Sequence, residues 1–204
     1  MRNLGILLVI LISCHTSNIP KNSKFEIKSY GFKNGDTLVD IGTGDGYHAA
    51  LISNLYPLSY FILEDIDSTA LFKIPIDYSK NFKFSKNIIN KYSVVLGTSE
   101  AIPLRDSSFK LVLCRKTLHE FINPPKMLVE IERILTEKGR LIIVEGIPIK
   151  EGEIDKFCRK PLLSKDSIVN FITLNGKFKL LESTIVPSSG NREFIVLIFE
   201  KSRG

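Results

Sequence analysis

The segment with the clearest chemical content is DIGTGDG, at Asp40–Gly46. Gly42, Gly44 and Gly46 let the backbone approach a ligand closely, and a helix that begins after Gly46 would offer free N–H groups. The spacing is G-x-G-x-G rather than the G-x-G-x-x-G of phosphate-binding turns, which argues against a nicotinamide cofactor. The carboxylate of Asp40, at the end of an apolar run, suits a cationic or amino-bearing ligand better than a pyrophosphate.

A second acidic position follows the next apolar run, in the sequence FILEDID. Asp65 ends this run, and a carboxylate there can accept hydrogen bonds from both hydroxyls of a diol. Glu64 is the neighbouring alternative, and strand alternation predicts that the two side chains point in opposite directions.

These residues need a scaffold of alternating strands and helices. Apolar, β-branched runs predict strands at Thr37–Ile41, Tyr60–Leu63, Ser93–Leu96, Lys110–Cys114, Arg140–Val144, Lys179–Ile185 and Glu193–Phe199. Helices are predicted at 46–55, 67–73, 124–136 and 164–174. The alternation predicts an α/β fold with three layers: a sheet of about seven strands, mostly parallel, with helices on both faces. The last two strands lack an intervening helix and should form a C-terminal antiparallel hairpin.

The ends of the third helix are the most clearly marked. Pro124 and Pro125 suit its first turn, where a missing N–H costs nothing. Gly139 is expected to end it in a left-handed conformation.

With these motifs in place, the chain resembles the class I S-adenosylmethionine-dependent methyltransferases, in their small-molecule branch, over roughly residues 30–200. Asp40–Gly46 matches the family's D-x-G-x-G-x-G motif, and the resemblance implies a Rossmann-like fold and S-adenosylmethionine as cofactor. It assigns the ribose to Asp65, with Glu64 as the alternative.

The same resemblance covers GTSEAIPLRDSSFKLVLCRKTLHEF, at Gly97–Phe121. The family usually places an adenine-contacting acid directly after this glycine, whereas this chain has Thr98. Ser99 and Glu100 are therefore the candidate contacts through their backbone groups. Arg115, after the fourth strand, is a further candidate cofactor contact.

Methyl transfer is an in-line displacement in which positioning supplies most of the catalysis and a base is optional. His119 is the candidate base for an acceptor hydroxyl or amine; the alternative is a purely structural histidine. The segment Ile147–Ser164 is expected to cover the acceptor. No metal site is expected, because the three cysteines and three histidines are scattered and form no C-x-x-C pair.

The amino-terminal residues are predicted to lie outside the folded domain. Residues 1–14 read as an export signal that ends in a lipobox-like LISC, so that Cys14 would be lipidated and attached to a membrane. A hydrophobic helix or an early start codon are the alternatives. Residues 15–29 are expected to be a tether and lead-in, and residues 30–204 the methyltransferase-like domain. An anchored, exported chain conflicts with the cytoplasmic location of the methyl donor, so a cytoplasmic protein stays the alternative.

The formal charge of +6 comes from dispersed lysines and arginines without interleaved aromatics, which argues against nucleic acid as a partner. A small-molecule acceptor is therefore the leading hypothesis. The alternatives are a membrane-tethered, non-catalytic protein of the same fold and an RNA methyltransferase. The sequence does not identify the acceptor or the oligomeric state.

Overall fold

The computed structural model describes residues 19–81, 92–156, 158–187 and 193–202. The predicted signal segment and Cys14 lie outside these ranges, so the lipidation hypothesis stays a prediction. Within the described ranges, every helix is too short or too polar to cross a bilayer.

A single seven-stranded sheet forms the centre of the molecule, in the order β3-β2-β1-β4-β5-β7-β6. The strands are β1 (Thr37–Ile41), β2 (Tyr60–Asp65), β3 (Tyr92–Leu96), β4 (Phe109–Arg115), β5 (Leu135–Ile147), β6 (Phe178–Val186) and β7 (Glu193–Lys201). Strands β1 to β5 pair in parallel, and β7 pairs antiparallel with both β5 and β6. The predicted mostly parallel sheet with an antiparallel C-terminal pair is confirmed.

In the part of the chain that the structure describes, five helices cover the sheet: α1 (Lys21–Ser29), α2 (Tyr47–Leu55), α3 (Ser68–Asn81), α4 (Pro124–Ile134) and α5 (Lys165–Asn175). One apolar core lies between the sheet and α1, α2 and α3, and the other between the sheet and α4 and α5. The central strands β1, β4 and β5 therefore have both faces buried over most of their length, which explains their continuous apolar runs, whereas the edge strands β3 and β6 are partly exposed.

Helix α1 lies within the segment predicted to be a tether. Ile27 and Tyr30 are fully buried against the sheet, and Glu26 is 3% exposed. The folded body thus begins before residue 30. The polar sequence KNSKFEIKS gives little local sign of this burial, because few apolar side chains mark the inward face.

The carboxyl end of α4 differs from the prediction. The helix ends at Ile134, and the backbone from Leu135 onward belongs to β5. Lys138, rather than Gly139, has the positive φ, of 58°. A Cβ at Gly139 would lie 2.8 Å from the carbonyl oxygen of Thr136, so this glycine is required for close packing.

Candidate functional site

The carboxyl ends of β1 and β4 meet where the sheet changes direction, since β2 and β3 lie on one side of them and β5 on the other. Ligands of open α/β sheets bind in the crevice at such a switch point. Here the crevice contains a cavity of about 250 Å³, which we call the switch-point cavity. Its lining includes Gly42, Glu64, Asp65, Thr98, Ser99 and Met127.

The glycine loop between β1 and α2 forms one wall of this cavity. Gly42, Gly44 and Gly46 have φ angles of +68°, +58° and +74°, a conformation that side chains with a Cβ rarely adopt. Helix α2 begins directly after Gly46, as the sequence predicts. Thr117 packs on the loop, because a Cβ at Gly42 would lie 2.2 Å from its Cγ2 atom.

Asp40 lies beneath the loop at the end of β1. It is 3% exposed, and its Oδ2 atom accepts a hydrogen bond of 2.9 Å from the hydroxyl of Thr43. Burial raises the pKa of Asp40 to about 7. A buried carboxylate with a single side-chain donor is stabilised further by a cationic ligand.

Asp65 connects β2 to the glycine loop, as its position in the sequence suggested. Its Oδ2 atom accepts the N–H of Gly44 at 2.8 Å, and its Oδ1 atom accepts the N–H of Asp67 at 2.9 Å. Each carboxylate oxygen has two lone pairs, so both can accept a second donor from a ligand. Asp65 and Gly42 therefore line the same cavity, and Asp40 lies buried in β1 directly before Ile41, which also lines the cavity.

Glu64 is 1% exposed and also lines the switch-point cavity. Burial, together with the neighbouring carboxyl of Asp65, raises the pKa of Glu64 to about 7. Its Oε1 atom is buried and accepts no hydrogen bond.

The segment after β3 contributes two of the positions named from the sequence. Thr98 and Ser99 line the cavity. Glu100 turns away: its carboxylate is exposed and lies 2.6 Å from the ammonium group of Lys126. Only the backbone of Glu100 remains a candidate for ligand contact.

Arg115 does not face the switch-point cavity. Its Nε and Nη2 atoms donate to the two carboxylate oxygens of Glu26 on α1, at 2.6 and 3.2 Å. Tyr30 donates its hydroxyl to the same carboxylate at 2.5 Å, and His48 Nε2 lies 2.8 Å from that hydroxyl. Burial lowers the pKa of His48 well below its usual range, which favours the neutral imidazole.

These four side chains form a buried polar cluster that attaches α1 to the end of β4 and to the first turn of α2. Arg115 and Glu26 also line a separate cavity of about 380 Å³, between the first turn of α1 and the β6–β7 end of the sheet. Sequence reasoning missed Glu26 and Tyr30, because their partners are distant in the chain. Arg115 was placed on the correct strand end, but its side chain points to α1.

His119 lies in a short 3₁₀ turn, Leu118–Glu120, after β4. Its Nδ1 atom is 2.7 Å from Oε2 of Glu145, a residue at the end of β5 that is 3% exposed. The hydrogen bond to Glu145 raises the pKa of His119. The sequence did not single out Glu145; its position at a strand's carboxyl end was the available signal.

The imidazole of His119 lines a third cavity, of about 380 Å³, under the predicted cover segment. Pro161 and Leu163 from that segment and Phe171 from α5 give it an apolar wall. Because His119 and Thr117 line different cavities on the two sides of one turn, the assignment of His119 as a base stays a prediction.

Among the residues that the structure describes, His119, Glu120 and Cys158 bring one potential metal-ligand atom each within 4.8 Å of one another. However, the ammonium group of Lys160 lies 2.7 Å from Oε2 of Glu120 and also donates to the His119 carbonyl at 3.1 Å. The ammonium group of Lys160 therefore already balances the charge of the Glu120 carboxylate.

Comparison with known proteins gives one matching protein family, described as a methyltransferase domain, over residues 39–143. Among curated proteins, the chain is 29% identical over 120 residues to the uncharacterised methyltransferase YcgJ of Bacillus subtilis, covering 59% of this chain and 44% of that protein. It is 26% identical over 171 residues to the ubiquinone/menaquinone biosynthesis C-methyltransferase UbiE of Pasteurella multocida, covering 83% and 58%. The chain thus spans about half the length of these curated relatives.

Solved structures show the same fold. A SAM-dependent methyltransferase from Aquifex aeolicus superimposes with a TM-score of 0.70 at 20% identity, covering 87% of this chain and 88% of that one. The [4+2]-cyclase SpnF superimposes with a TM-score of 0.72 at 13% identity, covering 89% and 81%. Since these identities are low, the likeness concerns the arrangement of the backbone.

Proposed function

The chain belongs to the class I S-adenosylmethionine-dependent methyltransferases, and from this premise we propose that it transfers a methyl group from S-adenosylmethionine to a small-molecule acceptor. The observation that carries the proposal is the switch-point cavity, which Gly42 and Asp65 line and where Asp65 accepts the N–H of Gly44 in the glycine loop. Without a bound cation, the carboxyl groups of Asp40, Glu64 and Asp65 would lie close together at the carboxyl ends of β1 and β2 and repel one another.

The residues present fit this cofactor. Its ammonium and sulfonium charges complement Asp40, its ribose diol complements Asp65, and the N–H groups of the glycine loop are available to its polar atoms. The unpaired Oε1 atom of Glu64 is a further acceptor in the lining. When bound, the cofactor supplies an electrophilic methyl group.

In the reaction, the protein's own side chains orient the base and remove a proton from the acceptor. Glu145 holds Nδ1 of His119 and fixes the ring, so that Nε2, which lies 3.4 Å from Oε1 of Glu120, is the atom that takes a proton from an acceptor hydroxyl or amine. The apolar wall beside His119 supports an acceptor with an apolar body. The name of the UbiE relatives, which are C-methyltransferases, agrees with a small-molecule acceptor.

Binding of S-adenosylhomocysteine, the product of the cofactor, tests the proposal. The affinity of the protein for this ligand is expected to decrease as the pH is lowered. Protonation of Asp40 below its pKa of about 7 removes the partner of the ligand's ammonium group. The dissociation constant should therefore rise by up to about tenfold per pH unit below pH 7 for this group, with a second contribution from Glu64. Isothermal titration calorimetry from pH 5.5 to 8.5 measures both the affinity and the released protons.

Asp40→Asn is expected to weaken binding at pH 8 by about 10- to 100-fold, the effect of a lost charge-assisted bond, and to flatten the pH dependence. Asp45→Asn is the matched control, because Asp45 is exposed in the same loop and its carboxylate accepts the N–H of Tyr47. A protein that gives no binding heat and no rise in melting temperature with millimolar S-adenosylhomocysteine would contradict the proposed function.

His119 is expected to titrate above its usual pKa in the wild-type protein and at a lower pH in Glu145→Gln. The hydrogen bond to Glu145 is the main cause of the raised pKa, so its removal lowers the pKa of the imidazole. NMR titration of the His119 ring measures the shift directly. The acidic limb of methyl-transfer activity in an acceptor screen should move to lower pH by the same amount.

Glu151→Gln removes an exposed carboxylate from the cover segment. It should change neither the NMR titration of His119 nor the pH dependence of methyl-transfer activity. If the acidic limb of activity stays in place while the pKa of His119 moves, His119 is not the base and acts only in packing.

Attachment to a membrane through Cys14 is a separate proposal, supported by the LISC pattern in the sequence. It concerns the location of the protein and leaves the site unchanged. A second function of this fold, ligand binding without methyl transfer, is favoured by Thr98 in the place of the family's adenine-contacting acid.

A further inference from the structure

The adenosine end of the switch-point cavity contains a buried acceptor without a partner. Glu64 is 1% exposed, it lines the cavity, and its Oε1 atom accepts no hydrogen bond. An unsatisfied buried carboxylate oxygen destabilises the protein, and a hydrogen-bond donor on a ligand removes this cost. Such an atom in a ligand cavity therefore points to a hydrogen-bond donor on the ligand.

The carboxylate of Glu64 reaches across the sheet from β2 to the end of β3. A Cβ at Gly97 would lie 1.7 Å from Oε1 of Glu64, so the glycine leaves the space that the carboxylate occupies. Thr98 and Ser99 follow Gly97 directly and line the same cavity. The carboxylate is thus adjacent to the segment that would surround the base of a nucleoside.

Thr98 cannot supply an acid at this place, and its hydroxyl already has other partners. Its Oγ1 atom accepts the N–H groups of Glu100 and Ala101, at 3.3 and 3.0 Å, and so closes the turn after β3. The ribose hydroxyls have a separate acceptor in Asp65, whose side chain leaves the strand on the opposite face from that of Glu64.

We propose that Glu64 accepts a hydrogen bond from the exocyclic amino group of the cofactor's adenine and thereby selects an amino-bearing purine. The inference rests on the proposed function, because it concerns the same cofactor. An ionised carboxylate only accepts hydrogen bonds, so it binds an amino group and repels a carbonyl oxygen at the same position. Glu64 takes, from the neighbouring strand, the role that an acid at position 98 would have.

The test compares S-adenosylhomocysteine with S-inosylhomocysteine by calorimetry at pH 8; in the second ligand a carbonyl replaces the amino group at position 6 and N1 carries a hydrogen. The wild-type protein is expected to bind the adenosine compound at least about tenfold more tightly. In Glu64→Gln the ratio of the two affinities should fall to about threefold or less, because an amide can accept from the amino group and donate to the carbonyl. Gly97→Ala, which displaces the carboxylate without removing it, should lower the ratio in the same direction.

Two variants serve as controls. Glu145→Gln neutralises another buried carboxylate with an unpaired Oε1 atom, outside the lining of the cavity, and should preserve the ratio. Asp65→Asn should weaken both ligands by the same factor. An unchanged ratio in Glu64→Gln, or equal weakening of both ligands, would overturn the inference and leave the cofactor assignment intact. Failure of S-adenosylhomocysteine to bind the wild-type protein would overturn the proposed function itself.

Discussion

Gly42→Ala is expected to abolish measurable binding of S-adenosylhomocysteine and to lower the free energy of unfolding by about 2–5 kcal/mol. Two costs add. The φ angle of +68° is unfavourable for alanine, and the new Cβ would lie 2.2 Å from Cγ2 and 2.7 Å from Oγ1 of Thr117. Since Thr117 sits at the end of β4, the loop must move away from the cavity to relieve the contact. Chemical denaturation and calorimetry measure the two effects.

Gly44→Ala separates conformational strain from collision in the same loop. Its φ angle of +58° is similar, but a Cβ at this position would meet no atom within 4 Å. Only the conformational cost, about 1–2 kcal/mol, is expected in the stability of the unliganded protein. The double variant Gly42→Ala/Thr117→Ala should be more stable than the sum of the single changes. Equal stability losses for the two glycine variants would show that the contact with Thr117 does not constrain the loop.

Glu26→Gln is expected to destabilise the protein by about 3–5 kcal/mol, because it leaves Arg115 without its counter-ion in a largely buried place. The side chains are 5% and 22% exposed, and the carboxylate also accepts the hydroxyl of Tyr30. Urea denaturation measures the loss. Arg115→Met should cost a similar amount, and the double variant should be clearly more stable than the sum of the single changes.

The pair between Arg133 and Asp106 provides the comparison, because the Asp106 side chain is 74% exposed. Asp106→Asn should change stability by less than about 1 kcal/mol. If Glu26→Gln costs no more than Asp106→Asn, the polar cluster around Tyr30 does not fix α1 to the sheet.

The sequence predicted the parts of the site whose signals are local. A strand, a glycine turn and a helix occupy consecutive residues around Asp40–Gly46, and Asp65 ends the very next strand. The alternation of strands and helices was sufficient to predict the three-layer fold and the C-terminal antiparallel pair, because both depend on runs of neighbouring residues.

Contacts between distant segments could not be predicted in this way. Arg115 stands at the expected strand end, but Glu26, 89 residues earlier, decides where its guanidinium points. The orphaned oxygen of Glu64 depends on the space above Gly97, and the raised pKa of His119 depends on Glu145 in another strand. A single sequence contains these residues but not their proximity.

The ion pair between Glu26 and Arg115 also determines where the autonomous folding unit begins. The similarity to other methyltransferase domains starts at residue 39, and a fragment cut there would lose Thr37 and Leu38 from β1 but retain the other six strands and the glycine loop. It would also expose the core surface that Ile27 covers and leave a guanidinium without its counter-ion. Alignment boundaries therefore underestimate the minimal stable polypeptide, which has to include the helix that begins at Lys21.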